Sequence, residues 1–283
     1  MKVRIQHRTT YHYDEPALLG PHVIRLRPAP HARTPLLSYA LHIDSELDGF
    51  GRHAAGSKHG PQVRWQYNPW GSREARVTFP AERGLRELDV LVDCTFDIHS
   101  INPFDFFVDD DARELPFEYP GALEKELAPF RAPPSDDARL KELVASVPYE
   151  GITVSYLVAM NQRIASTIQY VIRMEPGVWS PEQTLAEGRG SCRDSAQLLV
   201  AAFRSRGLAA RFVSGYLVQL ADEGNIPDLA KGVSNDVVDL HAWCEVYLPG
   251  AGWIGLDGTS GLLCGEGHIP LAVASDQIGR AHV

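Results

Sequence analysis

Cysteine is scarce in this 283-residue chain: four residues, Cys94, Cys192, Cys244 and Cys264, with no two in a C-x-x-C pair. The missing pairs remove the usual signatures of a zinc site or a thioredoxin-like redox motif. A surplus of positive charge is also missing. The formal net charge is -9 and no long basic run occurs, which argues against binding along a phosphate backbone. Long apolar runs are absent too: none approaches the length needed to span a bilayer. The opening MKVRIQHRTTYHYDEP lacks the apolar stretch of a signal peptide. The expected location is therefore the cytoplasm, whose reducing conditions disfavour structural disulfides. Internal repeats and low-complexity tracts are not found.

What is present is the composition of a globular protein, 44% hydrophobic and 22% charged, with length for one large domain or two ordinary ones. The first part reads as β structure. VRIQHRTTYHYD, HVIRLRP and LLSYALHID alternate with period two between Pro- and Gly-containing turns. WQYNPWGSREARVTFP predicts a hairpin around Asn68-Pro69-Trp70-Gly71, and LRELDVLVDCTFDIHS a strand pair or one long strand carrying Cys94 into a core. Short strands at this spacing predict a sandwich. Residues 99–135 are Pro-rich with interleaved aromatics, the pattern of a connection that packs on something. We place the boundary near Pro133-Pro134, giving a β-rich region over 1–134, a core over 135–272 and an atypical tail over 273–283.

Helical patterns dominate the core's first half. SDDARLKELVAS opens with Ser135 as the expected cap, and VSYLVAMNQRIASTIQYVI carries apolar residues at spacings of three and four, taking Gln169 and Tyr170 into the helix. SPEQTLAEG has Ser180 as N-cap, Pro181 at the first helical position and Gly188 as stop. The next helix starts at Cys192 and ends by Gly207. Then the period switches: ARFVSGYLVQL and HAWCEVYLPGAGWIGLD read as strands. The fold class expected is α+β, helices packed on an antiparallel sheet after a sandwich-like domain.

The stretch Gly188-Arg189-Gly190-Ser191-Cys192-Arg193-Asp194 puts a thiol at a helix start behind two glycines. Free N–H groups and the positive dipole end there favour a thiolate, and the Cys192 N–H is placed to donate to an oxyanion. The competing reading is a small apolar residue packed under the helix. A nucleophile needs a base and a group orienting that base. His241 is the candidate base. On a strand it faces the same way as Trp243 and Glu245, while Cys244 faces the opposite way, into a core. Asp257, sixteen residues on, ends the next strand and is the candidate orienter. Gly190, Ser191 and Trp243 are the candidate substrate contacts. Gln169 and Tyr170 are candidate oxyanion donors, and Trp179 and Trp253 candidate cleft walls. No metal and no cofactor are expected. His53 and His59 share a loop without a carboxylate or cysteine beside them, and Asp109-Asp110-Asp111 reads as a solvated turn.

GRGSCRDSAQLLVAAFRSRGLAARFVSGY and DLHAWCEVYLPGAGWIGLDGTSG resemble the core of bacterial transglutaminase-like proteins, within the papain-like cysteine-nucleophile superfamily. RTTYHYDEP and HVIRLRP resemble the β-rich domain that precedes that core. The resemblance implies Cys192 as nucleophile, His241 as base and Asp257 as orienter. It also implies acyl transfer or hydrolysis at an amide of a protein or peptide substrate, with no nucleic-acid or membrane partner. A cysteine protease of the same fold and a non-catalytic interaction module are the alternatives. One departure stands out: relatives usually have proline after the aspartate, and this chain has Gly258, from which a looser hold on Asp257 is expected without loss of the triad. The end, IGRAHV, reads as translated adapter sequence, so the expectation is a longer polypeptide whose C-terminal region is missing here.

Overall fold

The computed structural model describes residues 1–47, 49, 51–80, 84–134, 136–221 and 235–275. Seven strands form the N-terminal region: β1 (Lys2–Ala17), β2 (His22–Ile24), β3 (Leu36–Leu47), β4 (Gly51–Ala54), β5 (Gln62–Tyr67), β6 (Arg73–Thr78) and β7 (Leu85–Asp97). They make a four-stranded sheet in the order β1-β7-β3-β4 and a three-stranded sheet in the order β2-β6-β5. The apolar positions of alternating strands face one core, where Ile43, Val92, Cys94 and Phe96 meet Ile24, Ala75 and Val77. The pattern that left a strand pair open resolves into one long strand, β7. The β5–β6 turn closes as its residues dictate: Asn68 Oδ1 accepts from the N–H groups of Trp70 and Ser72, and Gly71 takes a φ of 79°.

The Pro-rich connection holds a short strand β8 (Glu114–Leu115) and helix α1 (Gly121–Leu127), and it does pack on the core. Tyr119 shows how: its hydroxyl donates to the Tyr247 carbonyl at 2.8 Å and accepts from the Ala209 N–H at 2.9 Å. Helix α2 (Ala138–Ala145) follows. Its cap is Asp137, whose carboxylate accepts from the Leu140 N–H. The expected cap, Ser135, lies outside the described residues. Asp137 wins because its position suits the third amide of the helix that actually forms.

The core continues with β9 (Gly151–Ile152), α3 (Thr153–Thr167), β10 (Gln169–Tyr170), α4 (Pro181–Glu187), β11 (Arg189–Gly190) and α5 (Cys192–Arg204). Five antiparallel strands complete it: β12 (Ala210–Gln219), β13 (Val237–Leu248), β14 (Gly252–Asp257), β15 (Leu262–Leu263) and β16 (His268–Ala274), in the order β15-β14-β13-β12-β16. Strand β16 carries on through Ala274, and residues 276–283 of the tail lie outside the described residues. Gln169 and Tyr170 are not helical, contrary to the sequence reading. Helix α3 stops at Thr167, and these two residues pair in parallel with Arg189 and Gly190. The long-range pairing overrides a local pattern that would have carried the helix on.

Helix α5 buries Ala196 and Leu198 through Phe203 against Phe212, Cys244, Val246 and Leu256. Each large aliphatic or aromatic side chain so enclosed contributes roughly 1.5–3 kcal/mol. That packing fixes the helix start against the middle of the sheet. The ends of β12 and β16 nearest the sandwich, Tyr216, Val218, Ile269 and Leu271, join its core instead. His7 Nδ1 meets the Tyr216 hydroxyl at 2.9 Å, and the Ala29 N–H donates to the Pro270 carbonyl at 2.7 Å.

Candidate active site

The site is assembled from one helix start and two strands. Cys192 is the first residue of α5 and is partly exposed, unlike Cys94 and Cys244, which are buried. Burial pushes both of those thiols up, to about 12 for Cys94. Gly188 ends α4 in the left-handed conformation, φ 62°, which glycine adopts without strain. Gly190 is buried, and its missing Cβ makes space for a side chain of the protein itself: a Cβ there would lie 2.9 Å from Asp194 Cβ. Ser191, also buried, donates from its N–H and its hydroxyl to Asp194 Oδ2, both at 2.8 Å. The glycine-serine pair thus builds the helix cap under Cys192. Any contact of these two residues with a substrate would run through their backbone.

Asp194 is the hub of that cap. Arg173 Nε and Nη2 donate to its two oxygens at 3.0 Å each, and the Trp179 N–H donates at 2.8 Å. Burial alone would raise its carboxyl, but Arg173 and the donated N–H groups outweigh burial and hold it below the ordinary carboxylate range. Arg173 in turn stacks over Trp179, its guanidinium 4.5 Å from the ring. Trp179 therefore belongs to the support of the loop, and Trp253 packs against Phe130, Tyr247 and Arg211.

The structure brings Cys192, His241 and Asp257 together. His241 and Asp257 are buried, and His241 Nε2 lies 3.2 Å from Asp257 Oδ2. The Cys192 thiol lies close enough to the imidazole to act on its charge. With Nε2 turned to Asp257, Nδ1 is the nitrogen left for the thiol. Burial pushes the imidazole down, but Asp257 and Cys192 together overcome it and raise His241 to about 10. Asp257 is the mirror case: burial works against its charge, while His241, His268 and the Thr259 N–H hold it well below the usual carboxylate range.

Trp243 is 1% exposed and lies behind the imidazole, its ring centroid 6.5 Å from that of His241 in a stacked arrangement. It packs edge-on to His268 at 5.3 Å. Tyr170, half exposed on β10, is close enough for Cys192 and Asp257 to help burial raise its phenol. The loose hold expected from Gly258 is not what the turn shows. Asp257 Oδ1 accepts from the Thr259 N–H at 2.8 Å and Oδ2 from the Ser260 hydroxyl at 3.1 Å. Gly258 itself lies against α5, where a Cβ would stand 3.3 Å from the Ser195 carbonyl oxygen.

His268 carries no sequence signal of a site, yet it reaches Asp257 Oδ2 from β16 at 3.5 Å. Only the pairing of β16 with β12 brings it there. His241, Asp257 and His268 each bring one potential metal-ligand atom within 4.8 Å of the others. The fit to a metal is poor. His268 Nδ1 accepts from the Gly265 N–H, which leaves the proton on Nε2, the atom that would have to ligate. Beside Trp243 and His268 opens a cleft of about 260 Å³, continuous with solvent and bordered by His31, Arg33, Phe106, Glu245 and Cys264.

Residues 142–258 match the transglutaminase-like superfamily, and residues 3–96 match the bacterial transglutaminase-like N-terminal region. An uncharacterized protein of Mycobacterium tuberculosis is 29% identical over 167 residues, 57% of this chain and 51% of its own length. The uncharacterized protein YebA of Bacillus subtilis is 34% identical over 73 residues, 25% of this chain and 10% of its own length. The match thus spans about half the length of the mycobacterial relative. Among solved structures, a candidate cysteine protease from Cytophaga hutchinsonii superposes with a TM-score of 0.64 at 19% identity, covering 98% of this chain and 82% of that one. That likeness concerns the fold. Both regions are matched in the order the sequence has them, a transglutaminase-like core behind the bacterial transglutaminase-like N-terminal region.

Proposed function

We propose that this chain is a cysteine-dependent enzyme acting at an amide, through attack by Cys192 and a thioester intermediate. The observation that carries the reading is one imidazole set between a partly exposed thiol and a buried carboxylate. A raised imidazole beside a thiol favours transfer of the thiol proton to His241, leaving thiolate and imidazolium side by side. The sulfur then attacks the carbonyl carbon of a glutamine side chain or a peptide bond. As the tetrahedral intermediate collapses, the C–N bond breaks and the departing nitrogen takes the proton from His241. Water or a primary amine next gives its proton to His241, attacks the thioester and releases Cys192. The N–H groups of Cys192 and Arg193, which a helix start leaves without partners inside the helix, are the donors proposed for the oxyanion. Asp257 keeps the imidazole in the orientation this sequence needs.

The first half of the cycle is common to transferases, deamidases and proteases; the second decides among them. A glutamine-containing peptide, offered with and without a primary amine, separates them by product mass. Amine-linked product identifies a transferase, glutamate in place of glutamine a deamidase, and a cut backbone a protease. All three require Cys192. Products that persist in a Cys192→Ala variant would overturn the proposal.

A further inference from the structure

We propose that His268 is a positioning residue of this site, a neutral imidazole whose Nε2–H fixes the carboxylate of Asp257 and through it the orientation of His241. The inference rests on the Cys192, His241 and Asp257 reading and deepens it. The tautomer follows from the hydrogen bonds. His268 Nδ1 accepts from the Gly265 N–H at 3.3 Å, so Nδ1 has no proton to give and Nε2 carries it. That Nε2 points at Asp257 Oδ2 over 3.5 Å. Both contacts lie at the long end of the hydrogen-bonding range.

The second observation is the set of restraints on Asp257. Thr259 and Ser260 hold it from its own turn. His241 Nε2 approaches Oδ2 to 3.2 Å yet lacks the alignment of a hydrogen bond and, although buried, has no other partner among the described residues. Among the described residues, His268 is therefore the aligned donor to this carboxylate from outside the 257–260 turn. It shares Oδ2 with His241, so the place it gives that oxygen decides how the imidazole is met.

The third observation is how the fold allows the reach. Strand β12 lies between β13 and β16, with Gly215 opposite both His241 and Pro270. A Cβ on Gly215 would lie 2.4 Å from the Trp243 ring. The bare backbone lets Trp243 lie across β12, and the two histidines pack on it with ring centroids 6.1 Å apart. A register shift in the β12–β16 pairing beside Gly215 accompanies this arrangement. Titratable groups around the site are Cys192 on α5, Tyr170 on β10, Asp239 and Glu245 on β13 and Cys264 after β15, with His31, Arg33 and Asp105 lining the same cleft as His268.

The test follows iodoacetamide alkylation of Cys192 by mass across the range from about pH 5 to about pH 11, in the full chain and two variants. His268→Leu keeps an apolar contact for Trp243 and removes the donor; His268→Gln keeps an N–H. The alkaline limb of the profile, where the imidazolium is lost and the thiolate reacts without its ion-pair partner, is expected to move down by about one pH unit in His268→Leu. It should return toward its original place in His268→Gln. A purely structural role would scale the rate at every pH and leave the limb where it was, and that result overturns the inference alone. An unaltered chain with no such limb overturns the parent reading and this inference with it. Nitrogen-15 shifts of His268 in the unaltered chain, at mildly alkaline pH, need no variant to fold. A proton found on Nδ1 sinks the proposal; one on Nε2 supports it.

Discussion

Arg173 grips both carboxylate oxygens of Asp194 at 3.0 Å, with the arginine side chain 7% exposed and the aspartate fully enclosed. The pair ties the loop after β10 to the start of α5, one turn from Cys192. Removing one partner leaves the other charge buried without its counter-charge, a loss of about 3–5 kcal/mol. Asp194→Asn is therefore expected to lower the unfolding free energy from denaturant titration by that amount and to slow Cys192 alkylation. Replacing both residues, as in Arg173→Met with Asp194→Leu, should cost less stability than Asp194→Asn alone. Equal or greater loss in the double variant would show that the cap geometry, not the charge pair, holds the loop.

Gly215 is the next position where a small change should have a large effect. An added Cβ meets the Ile269 carbonyl oxygen at 2.2 Å and the Trp243 ring at 2.4 Å, and the former is backbone that cannot swing away. Overpacking of this kind costs about 1–3 kcal/mol. Gly215→Ala should lose that much stability and, because Trp243 backs His241, should also slow alkylation at Cys192. A stable variant with unchanged alkylation would mean that Trp243 is free to shift without moving the imidazole.

Much of this was legible in the sequence where neighbours along the chain decide the outcome. Ser180 caps α4, Gly188 ends it in the left-handed region, and the alternation of HAWCEV sends Cys244 into the core and turns His241 away from it. What stayed hidden depends on pairings between distant segments. Gln169 and Tyr170 leave the helix because Arg189 and Gly190 offer them backbone partners. Asp194 is one more polar residue near a helix start in the sequence, and only the fold supplies Arg173, twenty-one residues upstream. His268 has no motif at all, since its place beside Asp257 comes from β16 pairing across β12. The likeness of Gly190 to a substrate-facing glycine hid a local cause, the space that Asp194 needs.

The raised imidazole gives a pH prediction with a definite sign. His241 stands at about 10 in the folded chain against an ordinary value of 6.5, so the folded state binds more protons between those limits. Its stabilising contribution is full below about pH 6.5 and fades as pH rises through about 10. The stability difference between the unaltered chain and His241→Gln should accordingly shrink over that window. Cys192 is one of the two partners that raise the imidazole. In Cys192→Ala the His241 titration followed by NMR should therefore fall to lower pH, while an unmoved titration would separate the imidazole from the thiol.

On the same face of β13, Glu245 makes the opposite case. It is buried with Arg211, whose Nη2 stands 2.7 Å from Oε2, and His31 Nε2 lies 3.5 Å from Oε1. Burial pushes the carboxyl up, yet Arg211 and His31 outweigh it and bring it to about 2 from an ordinary 4.5. The folded state thus binds fewer protons between those values, so the contribution is present above about pH 4.5 and is lost as pH falls through about 2. Glu245→Gln leaves Arg211 buried with Trp253 against its guanidinium at 4.0 Å and no carboxylate to meet it. The variant should be less stable by about 3–5 kcal/mol near neutral pH. Because the unaltered chain loses the same charge in acid, the two unfolding midpoints should converge as the pH approaches 2. Midpoints that stay equally far apart down to that pH would mean that the loss comes from packing around Arg211 rather than from its ion pair.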